Sequence, residues 1–305
     1  MTLPPIASLL SSVEEAPAVG VGEQDRSSGR RLALVVEYEG TRYAGFQLQA
    51  GQTTVQGELE KGLARFTGED IRIRAASRTD SGAHAKGQVV DFSTDSVHPV
   101  DRFPRALNFY LPIDIKIQSA YEVESRFNSR RNARSRIYRY HILNRLWPSP
   151  LERNISFWVR DELDIATMSA AAECLVGWRD FRPMSGGYPE DRSAVRRVYR
   201  WDVWRESDRV IIECEANGFI RHQIRRTNAL LIEVGKGRWP ASIVNDVLEN
   251  NPEGRVHWAT VPARGLCLEK VIYPNLGCKA GTAGEPAFPV MGEVPNGGGT
   301  RYEAN

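Results

Sequence analysis

The eight residues from Ser77 to His84 read Ser-Arg-Thr-Asp-Ser-Gly-Ala-His. They place one carboxylate, Asp80, close to one guanidinium, Arg78, with Gly82 inside the run and Gly87 just beyond it. Before them, Ile71 to Ala76 alternates apolar and basic residues, the period of a half-buried strand. After them, Gln88 to Phe92 reads as a second strand. A carboxylate on a short loop between two strands is rigidly held and open to a ligand. It can act as a nucleophile, or stabilise positive charge on a bond that is breaking. The same composition also suits a plain turn in which Asp80 bonds its own backbone. His84 reads as a hydrogen-bonding loop residue. Ser81 and His84 are too close in sequence to form a nucleophile–base pair.

Basic residues gather in three places. Arg126, Arg130, Arg131, Arg134, Arg136 and Arg139 crowd one segment that contains no acid. Arg192, Arg196, Arg197 and Arg200 form a second cluster, and Arg221, Arg225 and Arg226 a third. In a chain of net charge +2 this asymmetry suggests a basic face for a polyanion; the competing reading is solvated faces paired with local acids. Cys174, Cys214, Cys267 and Cys278 lie far apart, with no zinc-type spacing, as expected of reduced thiols in a cytosolic protein. No apolar run approaches the roughly 20 residues that cross a bilayer, and the N-terminus lacks a secretory pattern.

The elements that would position these groups follow from periodicity. Leu32 to Glu37 is a strand leading into a glycine turn with Tyr38, Tyr43 and Phe46, aromatics suited to core or to stacking a base. Thr53 and Gln56 have capping-box spacing for a helix with Val55, Leu59, Leu63 and Phe66 on one face, stopped at Gly68. Pro99 to Leu111 is a second helix capped by Asp101. Ile137 to Leu143 is a strand with alternating tyrosines. Asp164 caps a helix ended by Gly177. Arg196 to Trp204 and Arg209 to Glu215 form a hairpin. Phe219 to Val234 is a helix, another opens at Pro240, and Leu266 to Tyr273 is a last strand. The second half repeats the element order of the first, giving an α+β fold of two related units with a ligand cleft between them. The expected division is a tail over 1–30, a first half over 31–118, a second over 119–275 and a tail over 276–305.

Four separated motifs in order make Leu32 to Tyr273 resemble the TruA family of tRNA pseudouridine synthases. The first runs from Glu37 to Gln47, with Glu39 and Phe46 where the family usually has Asp and Trp. The second is the octet, usually G-R-T-D-A-G-V-H, which departs at Ser77, Ser81 and Ala83. The third takes in Asn108, Leu111-Pro112, Phe127, Ala133 and Arg136-Ile137-Tyr138-Arg139-Tyr140. The fourth runs from Asn217 to Arg225, with Glu233-Val234-Gly235 downstream.

The resemblance implies two RRM-like α/β halves with mainly antiparallel sheets joined across a central active-site cleft, usually in a homodimer. It implies a cytoplasmic isomerase that converts uridine to pseudouridine in the anticodon arm of tRNA, with no cofactor and no metal. It assigns Asp80 as the catalytic aspartate, Tyr138 as the tyrosine against the target base, and Arg225 as the basic residue paired with the aspartate. It assigns Arg78 to expelling the target nucleotide. Such a base must leave its stack to be reached; Arg131 and Arg134 are placed to contact phosphates, and Tyr138 offers a ring. An arginine nearby favours an ionised carboxylate, the role that fits Arg225. On periodicity alone Tyr138 is a core residue and Arg225 a surface charge. A non-catalytic RNA-binding relative is the alternative, against which the joint presence of Asp80, Tyr138 and Arg225 speaks.

Overall fold

The computed structural model describes residues 29–250, 258–274 and 279–280. In chain order the first elements are β1 (Arg30–Tyr38), α1 (Val55–Thr67), β2 (Arg74–Ala75), β3 (His84–Thr94), α2 (Arg102–Tyr110) and β4 (Ile115–Val123). They continue as β5 (Ser135–Asn144), β6 (Phe157–Val159), α3 (Ile165–Glu173), β7 (Gly177–Asp180), β8 (Val195–Glu206) and β9 (Arg209–Ala216). The last are α4 (Gln223–Gly235), α5 (Ile243–Asn250), β10 (Leu266–Ile272) and β11 (Lys279–Ala280).

All the strands belong to one sheet, in the order β11-β4-β1-β3-β10-β5-β9-β8-β7, with β2 beside β3 and β6 beside β5. The order β4-β1-β3-β2 in the first half matches β10-β5-β9-β8 in the second. Each half is thus a β-α-β-β-α-β unit whose strands lie fourth, first, third, second. The fold is α+β and mostly antiparallel; only β10–β3 and β5–β6 are parallel pairs among the described residues. The halves join where β10 pairs with β3, Cys267 opposite His84 and Leu268 opposite Ala85. Gly87 permits this approach, since a Cβ there would lie 2.5 Å from the Glu269 carbonyl oxygen.

Several boundaries differ from the sequence pattern for local reasons. The cap of α1 is Thr54, whose hydroxyl accepts from Gly57 N at 3.2 Å. Thr53 instead gives its carbonyl to Ala44 N, and the Gln56 side chain accepts from Leu48 N, so no capping box forms. Asp101 makes no side-chain cap; the turn Arg102 N to Pro99 O starts α2. Asp164 does cap α3, accepting from Thr167 N at 3.1 Å. That helix ends before Gly177 because Leu175 and Val176 donate to carbonyls three residues back. Only Arg74–Ala75 pairs as a strand, because Ile73 N donates to the Glu60 carboxylate instead. Residues 219–222 form a loop, and α4 begins at Gln223. The expected 118/119 boundary falls inside β4, which pairs with β1 through Val123. The tails expected over 1–30 and 276–305 lie mostly outside the described residues. Arg30, however, opens β1, and Lys279–Ala280 pairs with β4.

The core follows from alternation. Leu32, Leu34, Val36 and Tyr38 of β1 are buried, and so are Arg136, Tyr138, Tyr140 and Ile142 of β5. In α1, Val55, Leu59 and Leu63 recur at helical spacing and are buried, each worth about 1.5–3 kcal/mol over exposure. Asp91 is a buried charge with full compensation: it accepts from Arg31, Arg74 and Ser129 N.

Glu269 on β10 clasps the join between halves. It pairs with Lys86 of β3 at 3.2 Å and lies 3.9 Å from His141 of β5. Burial alone would push its carboxyl up, but His141, Lys86 and Arg139 more than offset this and hold it down to about 2. A carboxyl depressed on folding stabilises the fold fully above its unfolded value near 4.5, and that contribution is lost as pH falls toward 2. Urea unfolding should therefore show wild-type stability falling between pH 4.5 and 2 more steeply than that of Glu269→Gln. Parallel acid limbs for the two proteins would refute the clasp.

Candidate active site

The octet is a loop from the first half, pinned on four sides. Gln88, fully buried on β3, grips Ser77 through both backbone groups: Ser77 N–H donates to Gln88 Oε1 at 3.3 Å and Gln88 Nε2 donates to Ser77 O at 2.7 Å. Thr79 shares a 2.7 Å hydrogen bond with the Tyr38 hydroxyl, and its carbonyl accepts from Phe46 N at 3.1 Å. Ser81 Oγ donates to the Tyr43 carbonyl. Gly40 lies so close that a Cβ would overlap the Ala83 carbonyl oxygen, at 1.8 Å. The segment from Glu37 to Gln47 is therefore the floor of the loop. Tyr38, Tyr43 and Phe46 are buried in that floor, which settles the choice between core and stacking platform in favour of core.

Asp80 projects from this loop to the second half. Its Oδ2 lies 2.9 Å from Nη1 of Arg225, in the first turn of α4, while Arg225 Nε donates to the Val261 carbonyl at 2.8 Å. Both side chains are partly open, Asp80 at 28% and Arg225 at 18% exposure. Among the described residues Oδ1 of Asp80 accepts no hydrogen bond, so one oxygen is anchored and the other is available. The N-terminus of α4 adds its positive dipole end to the arginine. His222, at the start of that helix, has a left-handed backbone with φ 63°. Burial lowers its imidazole pKa, with Asp80 pulling the other way and Arg221, Arg225 and Arg226 reinforcing the drop.

Tyr138 comes up from β5 beneath the loop. Its hydroxyl lies 2.7 Å from Ser77 Oγ, and its ring meets Phe219 edge-on at 5.4 Å. Burial pushes the phenol pKa well up, and the Ser77 hydrogen bond offsets only part of that. The negative charge of Asp80 acts in the same direction as burial. Tyr138 is therefore a core residue, as its periodicity suggests, and its hydroxyl holds the first residue of the octet.

The arginines divide into two groups. Arg136 is buried and donates to the carbonyls of Ala76, Arg130, Ala133 and Asn217. It ties the strand before the octet to the third and fourth motifs. Arg139 pairs with Glu213, Arg126 with Glu124, and Arg200 with Asp202, Glu213 and Glu215. These are internal or locally paired, against the expectation of one free basic face. Arg78, Arg130, Arg131, Arg134 and Arg221 have exposed side chains. Arg78 makes no side-chain hydrogen bond or ion pair among the described residues. A cavity of about 520 Å³ lined by Glu37, Glu39, His84, Lys116, Glu152 and Arg209 includes none of Asp80, Tyr138 or Arg225. Among the described residues no group of three His, Cys, Asp or Glu side chains could hold a metal, and no helix is long and apolar enough to cross a membrane.

Two β-α-β-β-α-β halves share one sheet, with a carboxylate and a guanidinium paired across their join, and comparison with known proteins gives the family. The family described as tRNA pseudouridine synthase matches residues 34–130 and 171–274, which include Asp80 and Arg225; Tyr138 lies between the two matched stretches. The chain is 40% identical over 265 residues to tRNA pseudouridine synthase A of Roseiflexus sp., covering 85% of this chain and 96% of that relative. The enzyme of the same name from Thermoanaerobacter sp. is 38% identical, covering 80% of this chain and 100% of its own. That of Myxococcus xanthus is 40% identical, covering 80% of this chain and 92% of its own. The chain belongs to the tRNA pseudouridine synthase family.

Because Arg136 satisfies four carbonyls at once, its loss should be felt across the site. Arg136→Lys keeps the charge but not the planar fork. Leaving buried acceptors unpaired should cost at least roughly 2 kcal/mol in denaturant unfolding. A loss below about 0.5 kcal/mol, the usual range for surface changes, would show that these bonds are dispensable.

Proposed function

We propose that this protein isomerises uridine to pseudouridine in the anticodon arm of tRNA, with Asp80, Arg225 and Tyr138 as its catalytic residues. The observation that carries the reading is the 2.9 Å pair between Asp80 and Arg225 across the two halves, with Tyr138 bonded to Ser77 of the same loop. In the reaction the bond from N1 to the ribose C1′ breaks, the uracil turns, and C5 bonds to C1′. C5 loses a proton and N1 gains one, so the composition is unchanged.

The residues suit these steps. Arg225 anchors Oδ2 of Asp80 and leaves Oδ1 to face C1′, either as nucleophile or as the charge that stabilises a loosened sugar. A preorganised charge of this kind needs no rearrangement as the bond breaks. Tyr138 is the residue given to the base, and burial raises its phenol pKa, so its hydroxyl meets the nucleotide in the neutral form. The target nucleotide must be extruded at a cost of a few kcal/mol. In this reading Arg78, exposed two residues before Asp80, occupies the gap, and the exposed Arg131 and Arg134 hold phosphates. Homodimeric assembly and a cytoplasmic location belong to the same reading and draw on the family resemblance.

Asp80→Asn preserves size and removes the charge. The folded variant should bind tRNA as well as wild type or better, since an anion facing the RNA is gone, and should release no tritium from C5-labelled uridine in tRNA. Near-normal release would sink the mechanism. If Asp80 served only as a turn residue, the variant would lose about 1 kcal/mol of stability and keep turnover.

Phosphate contact should show as salt dependence. Neutral replacement of Arg131 and Arg134 together should lower the slope of log K for tRNA against log salt by roughly 1–2, as counterion release predicts for two contacts. An unchanged slope would remove this segment from the RNA interface.

A further inference from the structure

Ser77 stands where the family's motif usually has glycine, and its hydroxyl is the hydrogen-bond partner of the Tyr138 phenol among the described residues, at 2.7 Å. Its backbone has little freedom. Gln88 grips both its N–H and its carbonyl, and the neighbouring Ala76 is fixed by Val89 through its N–H and by Arg136 through its carbonyl. The Tyr138 ring is equally confined, buried and set edge-on against Phe219. With both residues held, the freedom left to the phenol is rotation of its O–H about the C–O bond. A serine hydroxyl can both donate and accept, so it can lock that rotation. A glycine offers no such partner.

We propose that Ser77 is a positioning residue: its hydroxyl fixes the rotation of the Tyr138 O–H, and so which side of that hydroxyl meets the extruded nucleotide. This rests on the proposed reaction. When Ser77 donates, the Tyr138 proton is directed at the nucleotide; when Ser77 accepts, a phenol lone pair is. In either case the hydroxyl pair presents one pattern to the uracil instead of an average over rotors. The contact forms within the site rather than at the RNA surface, so it acts on the chemical step more than on tRNA affinity. The raised pKa of the buried phenol agrees with a group that works through its proton rather than as an anion.

The test compares wild type with Ser77→Ala and Ser77→Thr, measuring kcat and KM for tRNA with tritium release, and thermal midpoint. Ser77→Ala should show a three- to tenfold lower kcat, the size of one net hydrogen bond. Its KM should stay at the wild-type value and its midpoint should fall only slightly, as for one lost hydrogen bond, and Ser77→Thr, which keeps the hydroxyl, should recover most of the rate and the midpoint. A wild-type kcat in Ser77→Ala would overturn the proposal. So would a lower kcat accompanied by a raised KM and a lowered midpoint that Ser77→Thr does not restore, because Ser77 would then only shape the loop. Absence of turnover in the wild-type protein would instead remove the reaction on which the proposal rests.

Discussion

His84 stands where the two halves of the sheet meet. Its backbone faces Cys267 across the β3–β10 pairing. Its Nδ1 accepts from Gly40 N at 3.0 Å, so Nε2 carries the proton, which points at the carbonyls of Asn154 at 2.9 Å and Arg264 at 3.0 Å. One buried imidazole at the end of the Asp80 loop therefore binds the floor of that loop and two segments of the second half. The direct pairing of β3 with β10 spans only His84–Cys267 and Ala85–Leu268, a short contact to fix the angle between two halves. The imidazole and the Lys86–Glu269 pair extend it. Without a fixed angle, a carboxylate on one half and a guanidinium on the other would not meet at 2.9 Å.

That constraint explains why the two halves, alike in strand order, differ in the loop between their second and third strands. In the second half this connection is a tight turn at Ser207 and Asp208, linking β8 to β9. In the first half it is the octet, which leaves β2 after two residues and runs across the sheet toward the other half before entering β3. Shortening β2 frees the chain for this path. Glu60 satisfies Ile73 N, and Asp91 holds Arg74, so the cut-off strand leaves neither its amide nor its charge unpaired.

Much of this was legible in the sequence, and the illegible parts share a cause. The octet announced itself because a carboxylate, small residues and turn formers sit together between apolar runs. Helix faces and the hairpin showed in their periods. The partners of Asp91 did not, because Arg31, Arg74 and Ser129 lie 60, 17 and 38 residues away and make no local pattern. Arg136 was grouped with RNA-facing arginines, yet its partners are backbone carbonyls, which carry no side-chain signature. Thr53 and Thr54 are chemically equal caps; a carbonyl contact from Ala44 decides between them. Tyr138 reads as core by its period, and its burial agrees; its site role came from the resemblance, because a ring in a strand pattern carries no mark of what it faces.

The same geometry divides labour within the Asp80 carboxylate. A bare anion at the centre of an RNA site would repel the phosphates it must admit. Pairing Oδ2 with Arg225 neutralises that field locally while leaving Oδ1 unbonded among the described residues. A stronger clamp, with both oxygens held by one guanidinium in a fork, would bind the carboxylate more tightly but leave it nothing to offer. Arg225 is prevented from swinging into that arrangement by its second bond, from Nε to the Val261 carbonyl, which fixes the guanidinium plane. The single contact is therefore a consequence of where α4 and the segment around Val261 place the arginine, and it leaves one carboxylate oxygen held and the other open.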